Sequence, residues 1–555
     1  MKKEDLLESL GEAGADYAAE TAPDAKPAAP RRRLRFLLPA AAALILALVG
    51  WLALRGSRTA QPTLPSETDA SVISTENAAA PSQPSADPIS PSESGAPSPE
   101  TSEYQVQTDF TSDHLLASPT YPTRLLYPTL GRDGMQGIPQ NAYQEWLDSV
   151  QTVKTANRLG DDDAVMGFAR ACMTDLLLQK PGENAVISPL NLYLALGMLS
   201  EVTAGNPRAE LLSLLGADSL ETLRERCSRL WNYHYENDGA NTCLLSSSLW
   251  LRKGFDYNLD TLSSLSANYY ASAFAGEMGS EPYTEELRRW LSQMTGGLLD
   301  DQIGGVTMDD ETLLMLVTSV LYRAKWQDEF TKARTESGVF HAAAGDTEAF
   351  YMKRDLDHGP LYYGDRFMAV ELRLADDAVM RFLLPDEGYA PADLLRDEES
   401  VRFLTRRGAW TQQSGEMGDW SYYAFPEWEK KSDDLIVHLS LPRFKTTSDL
   451  SVNDALQKLG VTELFSQGAD LSPLFANTGA NQLLQTMTAV GRIEHAATLS
   501  VDEEGVTAAA YTVMPVAGAA PPPEKEIDLT FDRPFVYAII SSDYQPLFVG
   551  VVNTP

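Results

Sequence analysis

The sequence predicts an α+β domain over residues 141–555, carried behind a single transmembrane helix at 36–54 and a disordered stalk at 55–140. Three observations lead there. An uncharged, apolar run of 19 residues follows a basic cluster near the N-terminus. The segment after it is built almost entirely from Ser, Pro, Thr, Ala, Glu and Asp. Further on, helical periodicities come first and strand-like runs later, without an alternating βαβ rhythm.

Residues 1–35 form an acidic, Ala-rich tail with one short helix expected around Leu6 to Leu10. The run from Phe36 to Leu54 would span about 28 Å as a helix at 1.5 Å per residue. Pro39 sits in its first turn, where proline is tolerated. Arg31, Arg32, Arg33 and Arg35 precede it, which places the tail in the cytoplasm and the rest of the chain outside the cell membrane. A cleaved signal peptide, which would leave the protein secreted, is the competing reading. The long polar lead and the length of the run favour an uncleaved anchor. Residues 61–103 lack the apolar content to offset their ordering entropy and read as stalk. Between Tyr104 and Gln140 aromatics and leucines return among prolines, either as more stalk or as a strap packed on the domain. A flexible chain of ~85 residues reaches roughly 50 Å, enough to hold a domain off a membrane.

In the domain, V-M-G-F-A-R-A-C-M-T-D-L-L-L (Val165 to Leu178) repeats apolar residues at three and four, and Pro189 to Leu199 and Ala209 to Leu215 continue that pattern. Strands are expected at Thr312 to Tyr322, Met368 to Leu384, Leu435 to Leu441, F-V-Y-A-I-I and L-F-V-G-V-V. Near the end, T-L-S-V (Thr498 to Val501) and F-V-Y-A-I-I are strand material around D-E-E-G-V-T-A-A-A (Asp502 to Ala510) and a stretch of small residues and prolines. That middle is too poor in large apolar residues to own a core position. It reads as a long exposed loop of the functional kind, although Ala-Ala-Ala also permits a short helix.

The formal charge of −34 argues against nucleic acid or anionic lipid as partner of the bulk of the chain. Cys172, Cys227 and Cys243 show no zinc spacing and no disulfide framework; free buried thiols are expected, with a Cys227–Cys243 bridge left open. His114, His234, His341, His358, His438 and His495 are scattered without metal-ligand spacing. Phosphate-cradling glycine loops, H-E-x-x-H and G-x-S-x-G are missing; no metal and no cofactor is expected, and the motif arguments for an enzyme fall away without excluding one. Asp161 to Asp163 and Asp309 to Glu311 read as solvated helix starts.

Five segments in order resemble the serpin family. N-A-V-I-S-P-L-N-L-Y-L-A-L-G-M-L-S (Asn184 to Ser200) is similar to its strand-then-helix around the shutter; Ser188 and Pro189 match, and serine before proline is also a sound helix start. V-T-S-V-L-Y-R-A-K-W-Q-D-E-F (Val317 to Phe330) looks like the central strand ending in the breach tryptophan, Trp326. L-S-L-P-R-F-K-T-T (Leu439 to Thr447) is similar to a further strand, and D-A-L-Q-K-L-G-V-T-E-L-F (Asp454 to Phe465) to the helix and turn after it. The fifth is the hinge and C-terminal signature, ending P-L-F-V-G-V-V-N-T-P. The departures are Asn191 for a shutter serine, Thr318 for an asparagine and Pro207 for a threonine.

The resemblance, to a bacterial membrane-anchored member, implies a large central β-sheet, helices and an exposed reactive loop. It implies a hinge of Glu503, Glu504, Gly505, Val506, Thr507, Ala508, Ala509 and Ala510, a shutter histidine at His495, and an ion pair of Glu503 with Arg443. The partner would be a serine protease, or a cysteine protease, inhibited by a monomer acting as a suicide substrate. Loop insertion in serpins is an established instance of strand addition, carried over here by the resemblance alone. Pleat geometry is compatible with it. Val506, Ala508, Ala510, Thr512 and Met514 would share an inward face, Tyr511 the opposite one, and Pro515 would limit zipping. Family spacing from Glu503 puts the reactive bond at Ala519–Ala520; counting back from the C-terminal motif lands near Pro523. Alanine before the cut suits elastase-like or subtilisin-like proteases. A non-inhibitory binding or envelope scaffold protein of the same fold is the alternative, and a stalked adhesin or membrane-bound hydrolase lies further off.

Overall fold

The computed structural model describes residues 105–128, 139–160, 162–356, 361–405, 431–432, 436–476, 492–506 and 526–555. The expected anchor at 36–54, the stalk up to residue 104, the hinge residues Thr507, Ala508, Ala509 and Ala510, and Ala519 and Ala520 lie outside the described residues. Among the described residues no helix is long and apolar enough to cross a membrane.

The main helices are α1 (Gln140–Asn157), α2 (Ala164–Leu177), α3 (Pro189–Val202), α4 (Gly205–Leu214), α5 (Leu220–His234), α6 (Leu259–Asn268) and α7 (Glu281–Met294). The strands begin with β1 (Leu115–Ala117), β2 (Ala185–Ile187), β3 (Glu236–Asn237), β4 (Thr242–Arg252), β5 (Ala271–Gly276) and β6 (Leu314–Lys325). Next come β7 (Glu336–Ala342), β8 (Gly345–Leu356), β9 (Leu361–Tyr363), β10 (Phe367–Arg373), β11 (Val379–Pro385) and β12 (Lys431–Ser432). The last are β13 (Ile436–Pro442), β14 (Phe444–Ser451), β15 (Arg492–Val501), β16 (Gly505–Val506), β17 (Glu526–Thr530), β18 (Phe535–Ile540) and β19 (Pro546–Val552).

A large central sheet runs β1-β5-β4-β6-β16-β15-β14, with β3 beside β4. A second sheet runs β12-β9-β10-β11-β18-β19-β2 and a third β17-β13-β8-β7. In the central sheet β4 and β6 pair antiparallel from Thr242 opposite Arg323 to Leu251 opposite Leu314. Next to them β6 and β15 run parallel, from Met315 beside Arg492 to Val320 beside Ala497. Helix α3 lies behind this sheet with every residue from Pro189 to Val202 buried, as expected of a helix that is apolar all round. Gly197 makes its approach to α5 possible: a Cβ there would sit 2.8 Å from the Cys227 sulfur and 3.0 Å from the Tyr269 ring. Helix α7 covers the other face, its Tyr283 ring packed against Trp250 and its hydroxyl donating to the Leu251 carbonyl at 3.2 Å.

Several expectations change. The helical reading of the first third missed β4 and β5. β4 is buried along nearly its whole length on both faces, so T-C-L-L-S-S-S-L-W-L-R has no alternation to read. Met368 to Leu384 is a hairpin of β10 and β11, turned at Asp377, whose φ of 66° is left-handed. Leu439 to Thr447 spans the end of β13 and the start of β14, in different sheets, with Arg443 at the corner. Asp309 to Glu311 is a turn, its Asp309 carboxylate accepting from the Glu311 N–H at 2.9 Å, rather than a helix start. All three cysteines are free and buried, so Cys227 and Cys243 form no bridge. Residues 105–128, left open between stalk and strap, are a strap: β1 adds to β5, and the Tyr127 N–H donates to the Asp238 carbonyl at 2.8 Å.

Candidate functional site

The site grows from the ladder in which β6 and β15 pair. His495 is fully buried on β15. Its Nε2 accepts the Ser188 backbone N–H at 3.0 Å, so the proton of the neutral ring sits on Nδ1 and is donated to the Thr318 hydroxyl at 3.1 Å. One imidazole therefore joins β15, β6 and the N-terminus of α3. Burial pushes its pKa down to about 3, which keeps the ring neutral. Ser188 also caps α3, its hydroxyl accepting from the Asn191 N–H at 3.3 Å. Asn191 reaches the sheet itself: its side-chain amide donates to the Ser319 carbonyl of β6 at 3.1 Å. Asn191 and Thr318, the two departures from the family pattern in this cluster, both bond to the strands.

Above this cluster, β15 turns over at Asp502–Gly505. The Asp502 carboxylate accepts from the Glu504 N–H at 2.9 Å and the Gly505 N–H at 3.2 Å, and the Asp502 N–H closes the turn on the Gly505 carbonyl at 3.0 Å. Trp326 holds the turn from β6: its indole N–H donates to the Asp502 carbonyl at 2.8 Å and its backbone N–H to the Glu504 carbonyl at 3.0 Å. Glu503 is only 2% exposed. Its carboxylate accepts the Arg443 Nε–H at 2.9 Å and 3.0 Å from its two oxygens, with Nη2 and the Thr335 hydroxyl close by. Burial works against ionising Glu503, but the bonds from Arg443 and Thr335 outweigh it and hold its pKa below the usual range. Glu504 pairs with Lys332.

The turn delivers Gly505 and Val506 into the sheet as β16, antiparallel to both neighbours. Gly505 lies opposite Lys325, and Val506 lies opposite Ala324 on one side and Val501 on the other. Val506 is fully buried, and these two residues are strand rather than helix. Glycine is required at 505 by close approach, since a Cβ there would fall 2.4 Å from the Ala324 carbonyl oxygen and 2.6 Å from the Lys325 Cα. β6 and β15 are thus spread by β16 at the top and paired below it. A strand continuing from Val506 would have to part their parallel ladder and break the Thr318–His495 bond. An open cleft of about 560 Å³ flanks the turn, lined by Lys332, Arg443, Lys445, Val501, Asp502 and Glu503 among others. Sequence reasoning missed Thr335 and Lys332, which come from the irregular segment after β6 and carry no local signal.

A family model described as serpin (serine protease inhibitor) matches residues 163–555. Human leukocyte elastase inhibitor is 27% identical over 398 residues, covering 70% of this chain and 97% of its own length. The horse protein of the same name is 28% identical over 383 residues, covering 68% of this chain and 94% of its own length. Among solved structures, the thermophilic serpin tengpin in its native state superposes with a TM-score of 0.58 at 22% identity, covering 71% of this chain and 93% of tengpin. Thyroxine-binding globulin in complex with thyroxine gives 0.55 at 20% identity, covering 71% and 98%. These structural likenesses speak to the fold. With the family model spanning most of the sequence, the chain belongs to the serpin family of serine protease inhibitors.

Proposed function

We propose that the protein inhibits a serine protease as a suicide substrate. The observation that carries this is Val506 seated between β6 and β15, followed in the sequence by T-A-A-A-Y-T-V-M without a charge or proline. The target's serine hydroxyl attacks the loop carbonyl of Ala519, forming an ester as the Ala519–Ala520 peptide bond breaks. The Ala520 amine leaves with the transferred proton, which the protease's own base supplies. The freed hinge then zips down between β6 and β15, and about a dozen new ladder bonds at ~1 kcal/mol net each yield roughly 10 kcal/mol. That gain drags the protease along before its ester is hydrolysed. The inhibitor contributes no catalytic group of its own. Alanine before the cut, together with the leukocyte elastase inhibitors among the relatives, favours an elastase-like or subtilisin-like target. In this reading the domain works outside a bacterial membrane, moored by the 36–54 anchor, as a monomer.

A second reading, a non-inhibitory binding or scaffold member of the family, draws on Val506, where the family's usual Thr or Ser would favour faster insertion. Ala508→Arg separates the two. A charge on the inward face is expected to turn the inhibitor into a cleaved substrate with the fold intact, seen as loop cleavage without complex. Inhibition unchanged by A508R would rule out insertion as the mechanism.

A further inference from the structure

The family match begins at residue 163, yet residues 105–128 and helix α1 are docked on the domain and lie before that start. Their contacts bridge two groups of elements. On one side stand β6, its antiparallel partner β4, then β5, with α7 across their face. On the other stands β15, tied through His495 to α3, and α3 tied to α5 by Arg226 to the Tyr193 hydroxyl at 2.8 Å and by Arg224 to Glu201 at 2.7 Å. A strand entering between β6 and β15 would part the two groups along that ladder, against the Asn191–Ser319 and Trp231–Leu245 bonds that also join them.

The strap holds both. Toward the first group, β1 extends the sheet edge on β5, with Leu115 opposite Phe274 and Ala117 opposite Ala273. His114 meets Glu286 of α7 at 2.7 Å, and Gln293 of α7 donates to the Gln107 and Asp109 carbonyls at 2.9 and 3.0 Å. Toward the second, Arg124 donates to the Asn232 carbonyl of α5 at 3.1 Å. The Tyr121 ring lies 5.6 Å from Trp231, whose indole N–H reaches β4 at the Leu245 carbonyl, 2.8 Å away. Tyr121 therefore covers the joint where α5 meets the moving strands. Helix α1 finishes the mooring: Trp146 donates to Asp238 at 2.9 Å, and the half-buried Lys154 pairs with Glu236 of β3 at 2.9 Å.

We propose that residues 105–128 and helix α1 are a built-in brake on sheet opening, occupying an intramolecular site formed by the β5 edge, α7 and α5. The brake rests on the insertion reading above. While it is docked, β6 and β15 stay paired below the hinge; when it lifts, the hinge advances.

The test uses the full chain in detergent micelles, heated below its unfolding transition with no target protease present. The readout is the rate at which the reactive loop becomes resistant to a non-target protease. Tyr121→Ala with Arg124→Ala is expected to speed that conversion at least ~10-fold. A staple made by A117C/A273C is expected to slow it by a similar factor, with the wild-type rate restored by reductant. Wild-type rates in both variants overturn the brake, as does a double variant that associates through its exposed edge while converting at the wild-type rate. If the double variant unfolds, the staple decides alone. A wild type that traps a protease while both variants convert at its rate removes the brake and leaves the inhibitor reading intact. A wild type that neither traps a protease nor ever inserts its loop removes both.

Discussion

Protonating His495 would put N–H groups on both ring nitrogens while the Ser188 N–H points at one of them, so that bond cannot survive the charge. The unfolded chain would bind that proton near an ordinary pKa of about 6.5 and the folded chain only near 3, so stability falls as pH drops through that window. The full linkage is at most about 5 kcal/mol. His234 works in the other direction. Burial opposes its charging, but the Asp543 carboxylate 3.1 Å away outweighs this and raises its pKa, so its contribution is present in acid and lost as pH rises. The measurement is therefore a difference: His495→Phe should be less stable at pH 7 and show a flatter decline between pH 6.5 and 4 than the wild type. Parallel curves would contradict a part for His495 in holding β15, β6 and α3 together. Arg443 is half exposed, yet its partner Glu503 is not. Arg443→Met should cost about 1–3 kcal/mol in denaturant unfolding, from the carboxylate left buried with Thr335 as its remaining side-chain donor. A loss below ~0.5 kcal/mol would make the pair an ordinary surface bridge. Ser188, His495, Trp326, Arg443 and Glu503 were legible because each sits in a run of neighbours whose order matches a family. Thr335 was not, because only the tertiary path after β6 brings it to Glu503.

At the scale of elements, the turn Asp502–Gly505 does the positioning. Gly505→Ala would drive a methyl into the Ala324 carbonyl and so unseat Val506. The expected readout is a shift in tryptophan emission, since Trp326 loses its ordered partner at Asp502, together with faster loop cleavage by a non-target protease. Unchanged emission and cleavage would show that β16 is not held where the geometry puts it. The same turn explains what sequence could and could not tell. D-E-E-G followed by V-T-A-A-A left helix and strand both open locally; the sheet decides, because β6 and β15 offer Val506 two backbone partners and solvent offers none. β4 and β5 stayed hidden for the opposite reason. With both faces covered, their apolar runs lose the period of two that marks a half-buried strand. Arg443 falls between β13 and β14, so a motif that reads as one strand is a corner between two sheets.

Across the whole molecule, the parts fit a sheet held short of completion. β16 spreads β6 and β15 at the top, His495 pins them in the middle, β1 extends the β5 edge and α1 is tied to β3. Cutting the loop should release that arrangement, and the cleaved protein is expected to unfold at a markedly higher temperature than the intact one; equal midpoints would mean that no strand is gained. The central claim is met most directly by incubating the full protein with elastase-like and subtilisin-like proteases and following the products by denaturing gel and mass spectrometry. The account predicts an SDS-stable complex with at least one of them and a released C-terminal peptide beginning at Ala520. Cleavage of the loop by every protease of the panel, with no complex formed, would contradict it.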